Sequence, residues 1–229
     1  MRELSIGRKW IWIPAFFLMG LLMASLPAGA GDQPKSNTGW TDTFEKPSLD
    51  TRWTWVREDP THWSLKERPG FLRITTQTGG VFGPERHQKN LLLTPAPEGD
   101  FRITTRCTIN PTQNYQYAGL FVYQGDDRYV QLNRAYTDGG GSFNFDIEKQ
   151  GNPKNIRVPA SATTFYLRIT KHGDTYTGEY SLDGESWTKV GEGTVALENP
   201  KIGIGAANNL AGVPEIPADF DLFKLESPL

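Results

Sequence analysis

Cysteine is almost missing: Cys107 is the single one in 229 residues, so no intramolecular disulfide braces the fold and a hydrophobic core has to hold it. In "DFRITTRCTI", Cys107 falls on the same alternate positions as Phe101, Ile103 and Ile109, which makes it a small buried hydrophobe rather than a nucleophile. The three histidines, His62, His87 and His172, are too far apart in sequence to suggest zinc. Positive charge is not in excess either. The formal net charge is −2, and without residues 1–30, which hold three bases and one acid, the balance is 21 bases to 25 acids, or −4. Nucleic acid is not the expected partner of such a chain. A sustained helical period is lacking, as are internal repeats, so helical bundles and solenoids are excluded. "DGGG", Asp138 to Gly141, stands between two strand-type runs and not between a strand and a helix, which rules out a phosphate-cradling loop.

What is present begins with an amino-terminal address. Arg2, Arg8 and Lys9 precede "WIWIPAFFLMGLLMASL", and Ala28-Gly29-Ala30 follows it. A basic head, an apolar run and a small-residue triplet predict a secretory signal, with Pro14 and Pro27 favouring cleavage after Ala30 over an uncleaved anchor. The expected organisation is a signal peptide over 1–30, a flexible leader over 31–39 and one domain over 40–229. The mature protein is expected to be exported, periplasmic or extracellular, off the membrane and monomeric.

From "WTDTF" to "ADFDLFKLE" the chain runs through short β-type segments broken by Gly, Asp, Asn and Pro. Two hairpins are signalled: one around His172-Gly173, and one at Asp183-Gly184, a pair favoured where both central turn residues need positive φ. So many short antiparallel strands in about 200 residues predict an all-β, two-sheet antiparallel jelly-roll sandwich, a single domain.

The stretch "AGLFVYQGDDRYVQLNRAYTDGGGSFNFDIEK" sharpens this. Ala118, Leu120, Val122, Val130, Leu132, Phe143, Phe145 and Ile147 share one face of three strands, the core face. The opposite face collects Tyr117, Phe121, Tyr123, Tyr129, Gln131, Asn133, Asn144, Asp146 and Glu148. Rings beside amides and carboxylates match what grips a sugar, whose apolar side stacks while its hydroxyls need donors and acceptors. Tyr123, Tyr129, Gln131, Asn133, Asn144 and Asp146 are therefore the candidate ligand-binding residues, tiling a platform for two or three sugar units, with Trp55 as a stacking wall.

"ERPGFLRITTQ", "ERHQKNLLLT", the Ala-Gly-Leu strand at Ala118 and the Ser-x-Asp-Gly-x-x-Trp hairpin at Ser181 to Trp187 resemble, in order, the concanavalin A-like domain at the carboxyl end of family 43 β-xylosidases and of related stand-alone secreted proteins. The resemblance implies a jelly roll of two curved sheets whose concave face binds glycans in many members of the wider superfamily, and it places Arg86 and Gln88 beside that concavity. In the xylosidases the domain is joined to a catalytic propeller; here the expected signal leads directly into the sandwich, so xylosidase activity does not carry over. Related laminarinase-type glycosidases use two glutamates flanking an aspartate on one strand. Asn144 stands where their nucleophile would be, leaving Asp146 and Glu148 as the catalytic alternative for a small glycoside hydrolase or polysaccharide lyase. A structural calcium bridges first and last strands in many superfamily members, and Asp42 and Asp221, with Asp219 nearby, are its candidate ligands. The expected function is carbohydrate binding on the concave sheet, with enzyme and envelope protein-interaction domain as alternatives.

Overall fold

A computed structural model describes residues 39–82, 87–227 and 229. The expected signal peptide, nearly all of the leader and Arg86 lie outside the described residues. The described chain is built of strands in two antiparallel sheets. One sheet has the order β13 (Thr188–Thr194), β12 (Thr175–Ser181), β11 (Thr164–His172), β6 (Phe101–Thr108), β15 (Pro217–Glu226), β4 (Leu72–Thr75) and β3 (Trp63–Ser64), and β1 (Trp40–Asp42) pairs with the end of β15 beyond the part that β4 occupies. The other runs β10 (Lys154–Pro159), β9 (Gly140–Lys149), β8 (Arg128–Thr137), β7 (Gln116–Gly125), β14 (Lys201–Asn208), β5 (Leu91–Pro95) and β2 (Thr54–Val56). This is the expected two-sheet sandwich of concanavalin A type.

Period-two alternation positions the core. Ala118, Leu120 and Val122 on β7, Val130 and Leu132 on β8, and Phe143, Phe145 and Ile147 on β9 all face the other sheet, where Phe101, Ile103 and Cys107 of β6 and Phe165, Leu167 and Ile169 of β11 meet them. Cys107 is fully buried as a free thiol, and burial raises its pKa further from reactivity.

Two local expectations change. The Asp183-Gly184 pair does not close a two-residue hairpin: β12 stops at Ser181, β13 starts at Thr188, and only Gly184 of the two has positive φ, at 81°. The Asp183 carboxylate instead accepts the backbone N–H groups of Glu185 and Ser186, both at 2.8 Å, an Asx-type turn that needs the longer loop. The second change is β10, an edge strand absent from the sequence-based assignment. Its residues "KNIRVP" are mostly exposed and end in proline, the composition that keeps a sheet edge from pairing further.

Candidate functional site

The seven-stranded sheet has a second face, pointing away from the core. It divides in two. Over β5, β14, β7 and the start of β8 it is apolar: Leu91, Leu93, Tyr117, Phe121, Tyr123, Tyr129 and Ala207 cluster there with Val81. Residues 77–82 and 87–90 cover this half. Gly79 N–H donates to the Asn208 carbonyl at 2.9 Å, Asn208 N–H to the Gln77 carbonyl at 2.9 Å, and the Tyr117 hydroxyl to Gln88 Oε1 at 2.6 Å. Arg57 fastens the cover from outside, its Nε donating to the Gln88 carbonyl at 2.7 Å while its Nη atoms pair with Asp126.

Over β8, β9 and β10 the same face is polar and hollow. A cavity of about 90 Å³ is floored by Gln131 and Asn133 of β8, Asn144 and Asp146 of β9, and Asn155 and Arg157 of β10. Strand register assembles the floor, because Gln131 lies opposite Asp146, Asn133 opposite Asn144, Asp146 opposite Asn155 and Asn144 opposite Arg157. Gly119, opposite Asn133 on β7, adds no side chain above it; a Cβ there would sit 2.1 Å from the Leu132 carbonyl oxygen. Phe82, Tyr115 and Asn209 form walls, and Phe82 is 44% exposed.

The polarity of the network is determined. Arg157 Nε donates to Asn155 Oδ1, Asn155 Nδ2 donates to Asp146 Oδ1, and Asn133 Nδ2 donates to Asp146 Oδ2 at 3.2 Å. Asn144 is satisfied by Ser142 and Thr137. Asn133 Oδ1 is left with no donor, although the residue is 3% exposed, and Asn209 Oδ1 likewise has none among the described residues. Gln131 approaches the Tyr117 hydroxyl as a donor, yet among the described residues its Nε2 makes no hydrogen bond of normal geometry. Buried polar atoms without partners are costly, so the cavity is shaped for something that supplies both a donor and an acceptor.

Burial lifts the Asp146 carboxyl from 3.8 to about 6, and the Asn155 and Asn133 amides, with the Arg157 charge, offset only part of that. The unfolded chain holds this proton only up to about 3.8, so the folded state binds more protons between the two values. Stability contributed by the protonated acid is full below about pH 4 and lost as pH rises through about 6. Relative to Asp146→Asn, which does not titrate, the wild type is expected to lose about 2 kcal/mol between about pH 4 and pH 7, at roughly 1.4 kcal/mol for each tenfold difference in proton affinity between the folded and unfolded chain. Urea melts of both proteins across that range check it, and a difference that does not vary with pH contradicts it.

The expected site residues are thus sorted. Gln131, Asn133, Asn144 and Asp146 are brought together. Tyr129, fully buried, and Tyr123, 8% exposed with its hydroxyl on Asp126 at 2.7 Å, belong to the covered apolar half and present no stacking platform. Gln88 is fully buried in the cover. Trp55 points the other way: on a three-residue strand with Val56 against the outer cluster, its ring packs between the sheets, 5.0 Å from that of Trp63. Glu148, 2% exposed, accepts the Gly151 N–H at 2.5 Å and does not line the cavity, so one of the expected carboxylate pair faces it. Asp42 accepts from Phe44 N–H and Trp53 Nε1, and Asp221 pairs with Arg106; among the described residues no three His, Cys, Asp or Glu gather to hold a metal. Asn155, Arg157, Phe82, Tyr115 and Asn209 join the site without being expected from sequence. For the first two the signal is the alternation of "KNIRVP", with Ile156 and Val158 against the core.

The profile of the beta-xylosidase C-terminal concanavalin A-like domain matches residues 41–226. A xylan 1,3-beta-xylosidase of a Vibrio species is 28% identical over 158 residues, 66% of this chain and 28% of that protein. A beta-xylosidase of Formosa agariphila is 24% identical over 213 residues, 82% of this chain and 35% of that protein. The chain therefore spans about a third of the length of the curated relatives it matches. Among solved structures, the GH43 BlXynB protein of Bacillus licheniformis superimposes with a TM-score of 0.75 at 24% identity, covering 82% of this chain and 39% of that one.

Proposed function

The chain belongs to the beta-xylosidase C-terminal concanavalin A-like domain family, and from that premise we propose that it is an exported module that binds carbohydrate in the polar pocket of its seven-stranded sheet. One observation carries this reading: an amide and carboxylate floor with buried hydrogen-bonding atoms that lack partners among the described residues lies beside the half-exposed Phe82 ring. Sugars ask for that pairing of a polar edge and an apolar face. Affinity electrophoresis against xylan, arabinan, β-glucan and mannan tests it. Phe82→Ala is expected to weaken binding by about 1 to 2 kcal/mol through lost stacking, with an unchanged melting temperature because the ring is exposed. Retention of none of the four by the wild type removes the reading.

Asp146 keeps a hydrolase or lyase as a second reading, because a carboxyl titrating near 6 is suited to acid and base work. Reducing-sugar release, or for a lyase new unsaturated ends, from the same panel separates it from binding alone. The export reading rests on the sequence of residues 1–30. An intact mass that starts at Gly31 supports it; a mass that retains residues 1–30 overturns it. Among the described residues no helix is long and apolar enough to cross a membrane.

A further inference from the structure

We propose that the pocket takes the end of a glycan chain, one neutral sugar entering edge-on, with two adjacent hydroxyls meeting Asn133 Oδ1 and Gln131 Nε2. The inference rests on the carbohydrate reading above and deepens it in two respects, the part of the chain recognised and the groups that recognise it.

Size gives the first. A cavity of about 90 Å³ is far below the roughly 300 Å³ or more of pockets that enclose a drug-sized ligand. The enclosed part takes the hydroxyl-bearing edge of a single ring. A binder of internal chain segments needs a row of open rings instead. The rings of this face that would extend such a row, Tyr123 and Tyr129, lie beneath the cover.

The open atoms give the second. Asp146 accepts from Asn133 Nδ2, which fixes that amide, and its Oδ1 is buried without a partner among the described residues at the cavity floor. Gln131, two residues earlier on the same strand face, offers an unused N–H, and same-face neighbours on a strand are about 6.8 Å apart. One hydroxyl donates and accepts at once, so two adjacent hydroxyls span this gap, giving a proton to Asn133 Oδ1 and taking one from Gln131 Nε2. A carboxylate has no proton to give Asn133, and above about pH 6 it would also face the ionised Asp146. A uronic acid is therefore disfavoured.

Calorimetric titration with methyl xylopyranoside, methyl arabinofuranoside, methyl glucopyranoside and methyl glucuronate, beside the matching oligosaccharides, tests the proposal. One of the neutral glycosides is expected to bind within about tenfold of its own oligosaccharide series, and the analogue lacking one hydroxyl of the diol, or Gln131→Met, to bind at least about tenfold more weakly. Asn133→Ala should do the same, and Gln131→Met decides the matter if that variant fails to fold, since among the described residues Gln131 bonds no other floor residue. If oligosaccharides bind with affinity that climbs steadily with length while no simple glycoside binds, the chain-end proposal falls and the carbohydrate reading stands. If the glucuronate binds best, the neutral-diol assignment falls. If neither glycosides nor polysaccharides bind, both fall.

Discussion

Tyr129→Ala is expected to cost about 3 to 5 kcal/mol of folding stability, the range for deleting a large buried ring. Tyr129 is among the largest fully buried side chains, and it lies in the outer cluster with Val81, Phe121 and Tyr123. Removing it opens a cavity in that cluster, on which residues 77–82 depend for attachment together with two backbone hydrogen bonds to Asn208. Gln131→Ala, on the same strand face, is expected to change stability much less, because Gln131 meets the cavity and reaches the cluster only at the Tyr117 hydroxyl. Equilibrium urea melts of the two single variants separate the two halves of the face. A loss below about 1 kcal/mol for Tyr129→Ala, with glycan binding abolished, would show the ring to be an open stacking surface after all.

That contrast marks how far the sequence is legible. Alternation over 118–149 identifies both faces of β7, β8 and β9 correctly, and with them four of the six floor residues, because a period of two is imposed by the pleat itself. It does not reveal which part of the outer face is covered. Tyr carries an apolar body and a polar tip, so Tyr129 reads the same whether it stacks a sugar or packs under a neighbouring segment. Only the path of residues 77–82 and 87–90 decides, and those stretches have no period to announce where they lie. Trp55 fails for a related reason: three residues of β2 are too few for alternation to fix which side is inward. Arg157 and Asn155 escape together with β10, whose charge and proline hide a strand that the neighbouring β9 nevertheless pairs along its whole length.

Asp219→Ala is expected to cost a further 3 to 5 kcal/mol or so, for an electrostatic reason. Sequence places this acid near a candidate calcium site; the structure gives it two arginines. Arg68 Nη1 donates to Oδ2 at 2.9 Å, Arg73 Nε to Oδ1 at 2.7 Å and Arg73 Nη2 to Oδ2 at 2.9 Å. Arg73 sits directly across from Asp219 on β4, and the Arg68 guanidinium rests 3.7 Å from the centre of the Phe71 ring. The Arg-Pro-Gly-Phe-Leu-Arg segment is thus a clamp that ties β4 and the loop before it to the last strand. Burial pushes the Asp219 carboxyl up, but Arg73 and Arg68 outweigh it and hold it below 3.8. Its stabilisation is therefore present above about pH 4 and lost as pH falls through that lower folded value. Removing the acid leaves the partly buried Arg73 charge without its main partner, whereas replacing both partners by apolar residues avoids the desolvation cost. Asp219→Leu combined with Arg73→Met should accordingly recover part of the loss, and the stability gap between wild type and Asp219→Asn should narrow below about pH 4. Thermal melts across pH decide it. A gap that stays constant into acid, or a double variant as unstable as the sum of the two single ones, would show that the guanidinium and carboxylate charges are not what holds β4 to β15.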